Sequence, residues 1–284
     1  MSLKTVLFII SFLFSSLALA AENISVISSG ALKIHTFHGI SNSHLIETKN
    51  ELHLIDAQMT FKHARQLKKY IDSVGKPLVQ VILSHNHPDH WFGAEIFSSQ
   101  TPIATTANIT KDLKNGGYRY IKNLKKKLKD NMPDQVIKPD VELNLGQHNW
   151  DGLKVIVEEY AEQESHHSLV LKLPEHGIMI GQDLFYNEMF LVASDRNRNK
   201  HWVEILQNFS ANEAKHYKTI LVGHGKNSDP AVFTQDIKYL NALEATLAKG
   251  LTQQQTQQEM IKQFPEKGGK GMLAISMRNL FNPH

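Results

Sequence analysis

Val81-Ile82-Leu83-Ser84-His85-Asn86-His87-Pro88-Asp89-His90 decides how this chain is read. It opens apolar and closes with three histidines and an aspartate within six residues. The short β-branched run 79–83 predicts a buried strand. Pro88 cannot continue a strand, so the polar residues fall on the loop that leaves it. Imidazole nitrogen with carboxylate oxygen is a donor set that zinc and similar divalent ions prefer. His85 and His87, two apart, can grip one ion, and Asp89 with His90 on the next turn can grip a second. Such pairs lie on the order of 3.5–4 Å apart in two-metal sites.

Upstream, 24–37 predicts two short strands, and 43–48 with 51–56 a hairpin that ends at Asp56. Leu67, Ile71 and Val74 recur at helical spacing over 61–74, and Gly75 stops that helix. Just past the metal loop, 93–97 reads as a helix start with its N–H groups toward the site. Strand, helix, strand, loop, helix is an α/β alternation. Residues 110–132 predict a helix with one cationic face, including Arg119, Lys122, Lys125, Lys126, Lys127 and Lys129. That face fits solvent, a lid over the site or a patch for an acidic partner. Further strands are expected at 143–146, 153–158, 169–174, 177–181 and 219–222. Several of these strands have a ligand-type residue at one end, which is how α/β proteins build sites at one sheet edge. From about 233 the pattern is helical to the end.

The chain has 284 residues, 41% hydrophobic and 21% charged, enough for one large domain. A formal charge of +3 makes no case for nucleic acid. Residues 1–20 read as a secretory signal: a positive start at Lys4, an apolar run, and Ala18-Leu19-Ala20 as cleavage site. The expected mature domain is 21–284, periplasmic or secreted, with no stable membrane insertion after cleavage. The absence of cysteine fits an exported protein without disulfides.

The H-x-H-x-D-H stretch resembles the signature of the metallo-β-lactamase fold superfamily, and the likeness runs from about Val26 to Asp236. It implies an αββα sandwich of two mixed sheets flanked by helices. It also implies a role for each matching residue. His85 and His87 would hold the first metal, and Asp89, His90 and His224 the second. Asp183 would bridge both, and Asp56 would brace the loop from behind. The family's third first-metal histidine is missing: Glu164 stands there, four residues before Ser168. Either Glu164 is the ligand, as in the alkylsulfatase-like branch, or the loop shifts to offer His166 or His167. If Glu164 binds, His166 and His167 would face the substrate, while Trp91 and Tyr186 would wall its pocket or belong to the core.

The implied cofactors are two divalent ions, zinc first, with iron or manganese less excluded by a carboxylate at position 164. The implied reaction is attack by a metal-bridging hydroxide on an ester, lactone, thioester or related bond of a small molecule, with Asp89 as proton acceptor. A β-lactamase, a sulfate-ester hydrolase and a non-catalytic periplasmic metal binder are the alternatives. Asp183 and the lack of cysteine speak against the first.

Overall fold

The computed structural model describes residues 23–282, so the expected leader at 1–20 lies outside the described residues. Alternating apolar residues fold the N-terminal stretch into an antiparallel meander of β1 (Ile24–Ser29), β2 (Leu32–His38), β3 (Asn42–Glu47) and β4 (Leu52–Ile55). Helix α1 (Phe61–Val74) follows. Its N-cap is Thr60, which accepts the His63 N–H, and Gly75 closes it at φ +77°. Strand β5 (Leu78–Ile82) then lies parallel to β4. It is joined by β6 (Ile103–Thr105) and β7 (Val141–Glu142), giving a seven-stranded mixed sheet in chain order.

The second sheet has five strands in the order β12-β11-β10-β9-β8. These are β8 (Gly146–Trp150), β9 (Leu153–Ala161), β10 (His167–Leu173), β11 (Ile178–Tyr186) and β12 (Thr219–His224). Period-2 alternation assigns its faces. Leu169, Leu171, Leu173, Ile178, Ile180 and Leu221 join the core between the sheets. Val170, Met179, Ile220 and Val222 join a second core beneath the C-terminal helices. The result is the expected helix–sheet–sheet–helix layering.

Several boundaries differ from the sequence expectation. The helix expected at 93–97 begins earlier: α2 is Pro88–Trp91, continued by a 3-10 turn over Phe92–Ile96. Proline suits the first helical position because its φ is preset and no N–H is required there, so the chain turns helical at once. The strand expected at 143–146 is displaced to β7 and β8 on either side. The strand expected at 177–181 runs on through Asp183 to Tyr186, so Asp183 sits within β11 rather than beyond it.

Helix α3 (Ala107–Leu128) presents its lysines to solvent. Helix α4 (Arg196–Asn208), unforeseen, is capped by Asp195, which accepts the Asn197 and Arg198 N–H groups. Helices α5 (Ala231–Leu247), α6 (Gln253–Gln263) and α7 (Lys270–Phe281) complete the chain. Among the described residues, no helix is long and apolar enough to cross a membrane.

Candidate metal centre

Loops at the C-terminal ends of β4, β5 and β12, the turn before β10, and the middle of β11 converge on one point. Fully buried His85 stands just past β5, and half-buried His87 follows it. Four side chains gather there: ligand atoms of His85, His87, Glu164 and Asp183 lie within 4.8 Å of one another. A second set, equally close, is Asp89, His90 and His224. Asp183 stands between them. Its Oδ1 is 3.2 Å from His90 Nε2, and its Oδ2 is 3.2 Å from His224 Nε2 and 3.7 Å from His85 Nε2. Only glycine fits at position 223, because a Cβ there would collide with Asp183 Oδ1.

The donors are held from behind. Asp56, at φ +60° after β4, accepts the Ser84 N–H at 2.8 Å, the Ser84 hydroxyl at 2.6 Å and His90 Nδ1–H at 2.6 Å. That bond fixes the His90 tautomer and aims Nε2 at Asp183. His224 Nδ1 donates to Ile40 O at 3.0 Å, which turns its Nε2 inward in the same way. The Tyr186 hydroxyl donates to Asp183 Oδ2 at 3.0 Å, and its ring stacks on His224.

Of the candidates in 164–167, Glu164 is the one that faces the first pair. Its Oε1 lies 3.1 Å from His87 Nδ1. The turn carrying it is built: the Gln163 side chain accepts the Glu164 and Ser165 N–H groups, and Ser194 Oγ donates to Glu164 O at 2.7 Å. His166 points out, 60% exposed, and pairs with Glu162 at 2.9 Å. His167, half-buried, donates from Nδ1 to Asp112 of α3 at 2.7 Å. Trp91 does not wall a pocket. It is fully buried, donates from Nε1 to Asn86 O at 3.0 Å and packs edge-on against Phe92. Tyr186 is also fully buried, so it meets Asp183 rather than open space.

Charge in the centre is tightly shared. Burial opposes charging of His90, yet Asp183, Asp89 and Asp56 hold its ring well above the ordinary histidine range. His224 is likewise lifted to about 10 by Asp183 and Asp89 against its own burial. Asp183 would be raised by burial, but His90 and His224 hold it well below the carboxylate range. Burial, followed by the neighbouring His90, pushes His85 far down. Burial raises the Glu164 carboxyl, partly offset by His87.

The donor set fits divalent ions. The Nε2 atoms of His85 and His90, both carboxylate oxygens of Glu164 and Oδ1 of Asp183 are buried without a well-aligned hydrogen bond, although Glu164 Oε1 lies 3.1 Å from His87 Nδ1 and Asp183 Oδ1 lies 3.2 Å from His90 Nε2. Buried polar atoms are rarely left so, and five at one convergent point call for a cation. Asp56 is instead saturated by Ser84, His90 and Gln182, so it braces rather than binds.

Three neighbours escaped the sequence reading: Asp112, Gly116 and Tyr120. They lie four apart on α3, one stripe of the helix, and the lysine run hides that spacing. The Asn86 amide donates to Asp112 O at 3.3 Å, and the Tyr120 ring meets His87 edge-on at 5.9 Å.

The family model of the metallo-beta-lactamase superfamily matches residues 37–224, and the chain belongs to this superfamily. Solved structures of similar fold include metallo-β-lactamases. One from Pontibacter korlensis is 19% identical, covering 77% of this chain and 99% of that one, with TM-score 0.57. FIM-1 from Pseudomonas aeruginosa, in its mono-zinc form, is 15% identical over 77% and 95%, with TM-score 0.60. DIM-1 is 17% identical over 78% and 98%, with TM-score 0.56. At these identities the likeness is one of fold. No curated protein sequence matches the chain.

Proposed function

We propose that this protein is an exported hydrolase of a small-molecule ester, lactone, thioester or related bond, working with two divalent ions. The observation that carries the reading is Asp183 standing between two ligand sets, His85/His87/Glu164 and Asp89/His90/His224. When bound, the ions polarise the scissile bond and acidify a water molecule. The chain's own residues do the rest. Asp89 is half-buried at the open side of the centre, where its carboxylate can orient the water and take its proton. With Nδ1 committed to Asp112, His167 offers Nε2 to a leaving group. Asp56 and Tyr186 keep the ligands oriented.

Zinc is the first expectation for both ions. Glu164 favours one narrower reading, a sulfate-ester hydrolase, because a carboxylate completes the first set in place of imidazole and makes it harder and more anionic. Cleavage after Ala20 would release the mature chain to the periplasm or medium. N-terminal sequencing that finds Met1 retained in a membrane fraction would refute export.

The deciding experiment pairs metal analysis of purified protein with a panel of lactones, thioesters, phosphodiesters, sulfate esters and a cephalosporin. Two ions per chain and turnover of a non-lactam class support the proposal. One ion or none under metal-replete conditions counts against it. Two ions with no turnover leave a metal-binding protein.

A further inference from the structure

Helix α3 crosses the metal loop at close range. A Cβ at Gly117 would stand 2.9 Å from Val136 Cγ1 and 3.3 Å from the Trp91 ring, and one at Gly116 would stand 3.3 Å from the Asn86 amide. Two adjacent glycines therefore let the helix lie directly on the loop, and the bond from Asn86 to Asp112 O pins it there. One turn beyond Gly116, Tyr120 reaches the His85–His87 side of the centre. Its ring meets His87 edge-on, at an interplanar angle of 85°. The ring packs on the core while the residue stays partly exposed. His87 and Asp89 are the ligands with exposed surface, at 20% and 18%, so this is the side from which a substrate arrives.

We propose that Tyr120 is a catalytic residue that contacts substrate: its hydroxyl donates a hydrogen bond to the substrate oxygen that gains negative charge over His87. A donor fixed beforehand where charge develops stabilises the transition state more than the bound substrate. The helix fixes the backbone at Tyr120, since α3 cannot lift from the loop without breaking the bond from Asn86 to Asp112 O, and the packing of the ring on the core and on His87 holds the side chain. The ligands around this point are histidines and carboxylates, and the Arg119 guanidinium lies 6.0 Å from the centre of the Tyr120 ring, so Tyr120 adds a neutral donor. The inference rests on the hydrolase reading above.

The test is Tyr120→Phe in the full, metal-loaded protein. Phenylalanine keeps the ring against His87 and removes only the hydroxyl. Metal content, melting temperature and the Kd for inorganic phosphate, an oxyanion probe, are measured beside kcat and KM on whichever ester the wild type cleaves. Expected are two retained ions, unchanged melting, phosphate binding weaker by about 10-fold, and kcat lower by about 100-fold with KM little changed, as for loss of one oxyanion donor. Unchanged phosphate affinity overturns the proposal, as does a wild type that binds no phosphate. Loss of metal also overturns it, by making Tyr120 a positioning residue for His87. If the wild type cleaves nothing in the panel, the hydrolase reading falls, while the phosphate measurement still decides whether Tyr120 contacts an oxyanion.

Discussion

Glu164 is where this centre departs from its superfamily's pattern, and its two buried oxygens, paired only loosely with His87, make it the side chain with most to lose from substitution. Glu164→Gln replaces an anionic donor by a weak amide oxygen. It should lower affinity for the first ion by more than the ~10–100-fold that loss of an outer partner costs. His167→Ala should keep both ions and change turnover, because its ring is held by Asp112 and not by the ligands. Metal content by emission spectroscopy separates the two variants, and the reverse pattern would return the first site to an all-histidine set. Asp56→Ala should itself cost about 10–100-fold in metal affinity, read by competition with a chromophoric chelator, since it frees the His90 ring. Uptake should also release protons. His224, lifted to about 10 in the metal-free protein, must lose its proton to bind, so affinity falls as pH falls. Calorimetry in buffers of different ionisation enthalpy counts those protons, and a heat independent of buffer would contradict the assignment.

At the scale of the element, helix α3 sets two glycine effects against each other. Glycine inside a helix costs roughly 0.5–1 kcal/mol relative to alanine. At Gly117 a Cβ meets Val136 and Trp91, and overpacking of this kind costs about 1–3 kcal/mol. Gly117→Ala should therefore destabilise by about 1 kcal/mol net. Gly271→Ala in α7, where a Cβ meets nothing within 4 Å, should stabilise by roughly 0.5 kcal/mol. Urea midpoints of both variants check the opposite signs. The same helix shows what sequence could and could not convey. Strand β5, α1 and the H-x-H-x-D-H loop are legible because local periodicity and Pro88 determine them. Trp91 is not, because its burial depends on a glycine and a valine contributed from 117 and 136. Helix α4 was missed because its first turns, Arg196 to Lys200, are polar and only Trp202, Ile205 and Leu206 mark its inner face. Glu164 was reached only through the superfamily's pattern, which left His166 and His167 as alternatives. Its facing toward His87 needed the turn that Gln163 and Ser194 build.

Across the whole molecule, the two sheets are clasped at the site end. The Asn42 amide donates to Val222 O and Gly225 O, both at 2.8 Å, and the Asn227 amide to Thr36 Oγ1 at 2.8 Å. Behind β11, Asp236 is fully buried and accepts the Tyr186 N–H at 2.9 Å, and burial raises its carboxyl from 3.8 to about 8. A carboxyl with a raised folded pKa favours the fold while protonated. Its contribution is complete below about 4 and is lost as pH rises through about 8. Asp236→Asn keeps the acceptor and removes the charge, so its stability should gain on the wild type from pH 6 to 8 and level off above. Urea midpoints at fixed metal loading test this, and parallel curves would refute it. Chelation should lower the melting temperature of every version, because the ions bind only the folded chain.

The ligands run from His85 to His224, and the loops that hold them come from both sheets. No shorter N-terminal piece contains the centre. A nascent chain, or one threaded unfolded through a membrane pore, has two histidines and an Asp-His pair but no cage. Under the two-ion proposal, loading would therefore come last, after β12 has docked. Were the chain exported unfolded, as proposed, the compartment in which it folds would choose its ion, not the one where it is made.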